Sequence, residues 1–170
     1  APLKQYCGYY MFRGCTSLTQ APELPATTLA SSCYMYMFYG CTGLTSVEIP
    51  NNVTSISASA FYSCSNLAEF IVSNEHTAYS SSEDRKVLYN RNKTTLFAYP
   101  SATGEFTIPD NVTTIGNRAF AECKGLTSVT IGSGVTRIDG YAFAGCSSLT
   151  SIVIPANVTY INNHVFFRCD

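Results

Sequence analysis

The sequence predicts an α+β repeat fold: a right-handed solenoid with short parallel strands on one face and short helices or turns on the other. Three observations carry that expectation. A Phe stands three residues before a Cys six times, at Phe12/Cys15, Phe38/Cys41, Phe61/Cys64, Phe120/Cys123, Phe143/Cys146 and Phe166/Cys169. Apolar residues recur at fixed offsets from that Cys. A short run after it then alternates with period two. Three of the Cys-to-Cys intervals (41 to 64, 123 to 146, 146 to 169) are 23 residues, the first is 26, and the long one from 64 to 123 is 59, which is 23 plus 36. A fixed period of roughly 20 to 50 residues marks stacked similar units rather than one globular core.

Within each unit the turn side comes first. Eight residues before the Cys stand Ile56, Ile115, Ile138 and Ile161, and four and three before it stand Ala60-Phe61, Ala119-Phe120, Ala142-Phe143 and Val165-Phe166. The spacing i, i+4, i+5, i+8 predicts a helical turn or short helix. Leu18, Leu44, Leu67, Leu126 or Leu149 follows three residues after the Cys, and the pattern then changes period. Val47-x-Ile49, Phe70-x-Val72, Val129-x-Ile131 and Ile152-x-Ile154 read as short strands with one face inward. Pro50, Pro109, Gly132 and Pro155 end those runs where the chain must turn. One unit alone buries too few side chains to offset the entropy of ordering its backbone. Stacked units share their apolar columns and extend one parallel ladder.

The whole chain, 1–170, is expected to form one solenoid domain. Residues 1–48 hold two 26-residue variant units, in which Cys7 and Cys33 take the Ile slot, joined by the Pro-rich link Ala21-Pro22-Glu23-Leu24-Pro25. Residues 49–72 form a standard unit, 73–108 a longer one, and 109–170 standard 23-residue units. In the longer unit Val87-Leu88-Tyr89 and Leu96-Phe97-Ala98-Tyr99 flank Asn90-Arg91-Asn92-Lys93, a β-hairpin that projects from or lengthens a coil. Its Arg85, Lys86, Arg91 and Lys93 are the densest charge cluster and read as a solvated hairpin tip, with an acidic-ligand contact as the alternative.

Ten basic and eleven acidic side chains give a net charge of -1, so no global field draws nucleic acid or an anionic membrane. No apolar run reaches the roughly 18 to 20 residues of a membrane span. A Cys position interchangeable with Ile is a core position. The eight cysteines therefore read as buried free thiols rather than disulfides or metal ligands, and no C-x-x-C pair occurs. His76 and His164 are too scattered to form a catalytic set and read as surface or turn residues. Asn52, Asn111 and Asn157 begin Asn-Val-Thr sequons at one repeat phase, where a turn Asn before a buried Val accounts for them; Asn92 begins a fourth sequon. Glu48, Glu69, Glu122 and Asp139 share no site, and no nucleophile elbow, phosphate loop or acid/base pair is present. The chain reads as a non-enzyme without cofactor or metal.

The run Ile138-Asp139-Gly140-Tyr141-Ala142-Phe143-Ala144-Gly145-Cys146-Ser147-Ser148-Leu149-Thr150-Ser151-Ile152-Val153-Ile154-Pro155 resembles the unit I-x-x-x-A-F-x-x-C-x-x-L-x-x-V-x-I-P of the BspA-like leucine-rich repeat family, the treponemal or type-5 class. The resemblance covers nearly the whole chain, including the longer unit from Val87 to Pro100. It implies a leucine-rich-repeat solenoid, a bacterial cell-surface or extracellular location, and a role in adhesion to host matrix or cell-surface proteins. No binding motif transfers, because the shared positions are core positions. Against the full unit, Ala1 starts in mid-repeat and Asp170 stops directly after Cys169, so the chain reads as a fragment of a longer one.

The function expected is recognition or adhesion, with a protein ligand bound through outward side chains of the strand face: Ser46 and Glu48, Glu69 and Ile71, Ser128 and Thr130, Ser151 and Val153. Two alternatives are a rigid spacer and a carbohydrate-binding accessory module. The latter is suggested by Tyr6, Tyr9, Tyr10, Tyr34, Tyr36 and Tyr39, since aromatic faces can stack on sugars.

Overall fold

The alternating runs pair with their equivalents one unit away. The computed structural model describes residues 8–23 and 35–170. There the strands β1 (Ser46–Ile49), β2 (Glu69–Val72), β3 (Tyr79–Ser81), β4 (Leu88–Asn90), β5 (Thr95–Ala98), β6 (Thr103–Thr107), β7 (Thr114–Ile115), β8 (Gly125–Thr130), β9 (Arg137–Ile138), β10 (Ser151–Ile152) and β11 (Tyr160–Ile161) follow in order. β1 lies parallel to β2, and β6, β8 and β10 form a second parallel ladder in which Phe106 faces Val129 and Val129 faces Ile152. A third sheet runs β11-β9-β7-β5-β4-β3 and aligns Leu96, Ile115, Ile138 and Ile161 in one column. Cys7, Cys33, Tyr6, Tyr34 and the Leu24-Pro25 part of the Pro-rich link lie outside the described residues.

The stack is a β-solenoid of about 5 turns, and the expected α+β class is wrong. Where the apolar spacing predicts helices, the described residues hold a single 3-10 turn, Ala58–Phe61, capped by the Ser57 hydroxyl accepting from the Ser59 N–H. The reason lies in where the backbone donors go. In the unit ending at Cys123, Arg118, Phe120 and Glu122 donate to Gly140, Ala142 and Ala144 of the next coil at 3.1, 2.8 and 2.7 Å. Between them, Ala119, Ala121 and Cys123 donate three residues back, to Gly116, Arg118 and Phe120. Arg118 and Glu122 sit at φ 58° and 63°, outside the helical region. Every second N–H is thus spent between coils, where an α-helix would spend all of them within its own segment. The side chains of Ala119, Phe120 and Cys123 still turn inward, which is why their spacing mimics an amphipathic helix.

Two clusters of buried side chains fill the interior, one built around Phe38, Phe61 and Phe70, the other around Phe120, Phe143 and Leu126. The longer unit forms their shared wall. Val87 and Tyr89 face one cluster and Leu88 faces the other, all at 4% exposure or less, so the expected hairpin lengthens the sheet as an antiparallel meander and its central strand is covered on both sides. His76 closes a turn, its N–H donating to the Ser73 carbonyl at 3.0 Å, but the surface half of its expected role is a second correction. It is fully buried rather than at the surface: its Nδ1 accepts from the Ala78 and Tyr79 N–H groups, both at 3.1 Å, and Nε2 lies 3.2 Å from the Pro50 carbonyl oxygen. His164 is exposed, as expected.

The Cys column is internal in its middle members, but the expectation of buried thiols throughout fails at Cys15, which is exposed, and in part at Cys169, which is half-buried. Cys41, Cys64, Cys123 and Cys146 are buried, and each donates its thiol to a carbonyl of the preceding coil, on Phe12, Phe38, Tyr99 and Phe120, at 2.9 to 3.1 Å. Burial, with Cys41 adding to it, pushes the Cys64 thiol up to about 12. Thiolate is the reactive form. Exposed Cys15 should therefore react at once with a disulfide reagent in the folded protein, while these four react only at the rate of unfolding. Rapid reaction of all four under native conditions would show that the column is open to solvent. The sequon asparagines knit the same stack: the Asn111 amide donates to the Lys93 carbonyl at 2.7 Å and that of Asn157 to the Ser133 carbonyl at 2.8 Å.

Candidate functional site

On the outer face of β1 and β2 the register sets Ser46 beside Glu69 and Glu48 beside Ile71, while Val47 and Phe70 point inward. Ile71 remains 39% exposed. Past β2 the chain of the longer unit continues the surface: the Phe70 N–H donates to the Arg85 carbonyl at 2.7 Å, and the Arg85 guanidinium reaches Glu69 at 2.8 Å. That pair is open to water and contributes little to stability, but it fixes the direction of Glu69. Beyond it lies a groove of ≈ 660 Å³ lined by Ile71, Asn74, Ser80, Ser82, Arg91 and Lys93.

The groove is unevenly charged, with Arg85, Arg91 and Lys93 against the one carboxylate of Glu83 among its described lining residues. Just outside it, Asp84 is held below the usual carboxylate range, first by the Ser82 hydroxyl at 2.6 Å and then by the Lys86 N–H and ammonium group. Arg91 and Lys93 enter no ion pair among the described residues. Three of the four basic residues that read as a hairpin tip, Arg85, Arg91 and Lys93, thus border a groove next to the strand face, with Lys93 at φ 55° in the tight turn that brings it there, while Lys86 turns to Asp84.

The remaining expected residues sit on another sheet. Ser151 aligns with Ser128 and Ser128 with Glu105, while Thr130 aligns with Thr107; Val153 lies one residue past the end of β10 and is 80% exposed. The structure therefore gathers Ser46, Glu48, Glu69 and Ile71 in one place and Ser128, Thr130 and Ser151 in another, with the meander between the two ladders. Glu105 and Thr107 belong to the second group and were not foreseen from sequence. The signal was present, because Phe106-x-Ile108 stands one 23-residue unit before Val129-x-Ile131.

The acidic residues do not converge. Glu69 pairs with Arg85, Asp139 with Arg137 at 2.7 Å, and Glu122 with Lys124 at 3.6 Å. Among the described residues no cluster of three or more His, Cys, Asp or Glu could hold a metal ion, and no helix is long and apolar enough to cross a membrane.

The family pattern described as "BspA type Leucine rich repeat region" matches residues 4–83 and 92–170 in six copies. The chain belongs to the BspA-type leucine-rich repeat family. Its repeats make solenoids that typically serve as non-enzymatic binding modules. A leucine-rich repeat protein from Eubacterium ventriosum superposes with a TM-score of 0.75 and is 36% identical, over 88% of this chain and 40% of that one. The pneumococcal vaccine antigen PcpA superposes at 0.65 with 21% identity, over 77% of this chain and 34% of that one. A leucine-rich cell surface protein from Faecalibacterium prausnitzii superposes at 0.63 with 24% identity, over 94% of this chain and 54% of that one. The last two likenesses show the fold alone. This BspA-type chain spans about half or less of each of these proteins. Among curated protein sequences none matches it.

Proposed function

We propose that this BspA-type chain is a recognition module of an extracellular or cell-surface protein, binding a protein ligand through the outer face of β1 and β2. The observation that carries this reading is Ile71: a half-exposed isoleucine in mid-strand, beside Glu48 and at the mouth of the groove that Arg91 and Lys93 line. An apolar centre ringed by charges of both signs is the composition of a protein-binding patch, with the apolar residue giving affinity and the charged rim giving register. Ser46 and Glu69 extend that patch, and Ser128, Thr130, Ser151 and Val153 offer a second, more polar strip. Membership of the BspA-type family supports the location.

The test is binding of the purified chain to immobilised extracellular-matrix and cell-surface proteins. For a ligand so found, Ile71→Ala is expected to weaken binding about tenfold, as for a central apolar contact, and Glu48→Ala or Glu69→Ala to weaken it less and mainly through the association rate. Unchanged affinity in all three variants would move the site elsewhere. Failure to bind any protein of the panel would favour the spacer.

A further inference from the structure

The segments that join one strand of a coil to the next, such as 116–124 between β7 and β8, carry a second surface that the strand-face reading does not use. Five residues before the repeat Cys, the backbone adopts positive φ in most coils: Tyr10, Tyr36, Arg118, Tyr141 and His164 lie between 54° and 60°. Gly or Asn fills such a position with least strain, and a bulky ring there is an outlier that invites a functional reading. Three of the five are nevertheless tyrosines and one a histidine, and the rings line up. Tyr10 stacks on Tyr36 at 5.2 Å, Tyr39 on Tyr62 at 5.0 Å, and Tyr141 on His164 at 4.9 Å.

Guanidinium groups are set among these rings. Arg13 lies 4.9 Å from the Tyr10 ring centre and 5.1 Å from that of Tyr39. Arg118 lies 4.6 Å from Tyr141, 5.7 Å from Tyr36 and 5.9 Å from Tyr62. It donates to the Asn117 side-chain oxygen at 2.8 Å and the Ser59 hydroxyl at 3.4 Å, and among the described residues it meets no carboxylate within ion-pair distance. Together with Arg168 these groups border a groove of ≈ 250 Å³. The one acidic side chain among its described lining residues, Glu122, already accepts from the Tyr62 hydroxyl at 3.2 Å and pairs with Lys124.

We infer that this tyrosine–arginine groove is a binding site for an anionic saccharide, whose carboxylate or sulfate would be taken by Arg118 and whose ring would lie against Tyr141 and its neighbours. One property favours a sugar over an acidic peptide. The main chain along this side is consumed between coils, as in the Arg118 and Tyr141 N–H bonds to Gly140 and Asn163 at 3.1 and 3.3 Å, which leaves ring faces, phenolic hydroxyls and guanidiniums as the recognition groups. Flat aromatic faces suit the C–H faces of a pyranose, and a guanidinium fork suits a carboxylate or sulfate.

The experiment is titration of the purified chain with trigalacturonate, a heparin-derived disaccharide and neutral maltotriose, followed by tyrosine fluorescence and calorimetry. At least one acidic probe is expected to bind ten times or more tighter than maltotriose, and the two acidic probes tell carboxylate from sulfate. Arg118→Gln should lower that affinity at least tenfold and remove the preference over maltotriose, Arg118→Lys should lower it less, and Tyr141→Ala should weaken binding of all three sugars. Ile71→Ala, which does not line this groove, should leave it unchanged, so this site and the protein-binding reading can fail separately. Far-ultraviolet circular dichroism of each variant checks that the solenoid persists. Equal binding of neutral and acidic probes, no binding of any of them, unaltered affinity in folded Arg118→Gln, or equally tight binding of a poly-glutamate peptide would each overturn the assignment.

Discussion

Phe120→Ala is expected to lower the unfolding free energy by roughly 3 to 5 kcal/mol, the largest loss of any single truncation along the Phe column. Phe120 is fully buried, stacks on Phe143 at 5.1 Å with ring planes 9° apart, and meets Phe106 and Tyr99 at 5.7 and 6.1 Å. Its backbone is pinned twice to the next coil, by the N–H to Ala142 and by the Cys146 thiol on its carbonyl, which holds the coil from collapsing into the space left behind. The same change at Phe166, which is 36% exposed in the last coil, opens no closed cavity and should cost less than half as much. Urea unfolding followed by circular dichroism measures both. A Phe120→Ala loss below about 1 kcal/mol, or one no greater than that of Phe166→Ala, would show that the column does not carry the stack.

The second large effect concerns His76. His76→Ala leaves the Ala78 and Tyr79 N–H groups and the Pro50 carbonyl without their buried partner, and unsatisfied buried groups cost about 1 to 3 kcal/mol each. A total loss of roughly 3 kcal/mol is expected. Because Nδ1 accepts two N–H bonds, the proton of the neutral ring sits on Nε2, facing Pro50. Burial lowers the folded-state pKa below the ordinary 6.5, outweighing the Pro50 carbonyl, which raises it; Arg91 lowers it further. Below about pH 6.5 the unfolded chain then binds a proton that the folded chain refuses. Stability is full above that pH and falls as the pH drops, by up to about 1.4 kcal/mol per unit, until the folded pKa is reached. His76→Gln should flatten this limb of the stability–pH profile between pH 6.5 and 5. An unchanged limb would mean that other groups set the acid sensitivity.

The interior of this solenoid could be read from the chain because columns repeat. Ile115, Phe120, Cys123 and Leu126 recur in phase with Ile138, Phe143, Cys146 and Leu149, and the structure buries all eight. Hydrogen bonding was not legible in the same way. A spacing of i, i+4, i+5, i+8 describes which side chains turn inward, but not whether the N–H groups between them bond within a helix or to the next coil. His76 was missed because it occurs once, in the one unit with no counterpart for comparison. β3 was missed because Tyr79-Ser80-Ser81 lacks the alternation that marks β4 and β5. At the candidate site the outward positions followed from strand parity, whereas the groove beside Ile71 depended on how the meander folds back along β2, and no local pattern encodes that.

The chain departs from the 23-residue register after Val72, adds β3 and β4 to the sheet, and regains the register at Leu96 in the column of Ile115, Ile138 and Ile161. The exposed turns at 82–86 and 91–94 hang between fixed points of entry and return, and added loop length costs little free energy. New residues at either turn would leave every later coil in phase. Here such a molecule can diversify its exterior while its interior stays as it is.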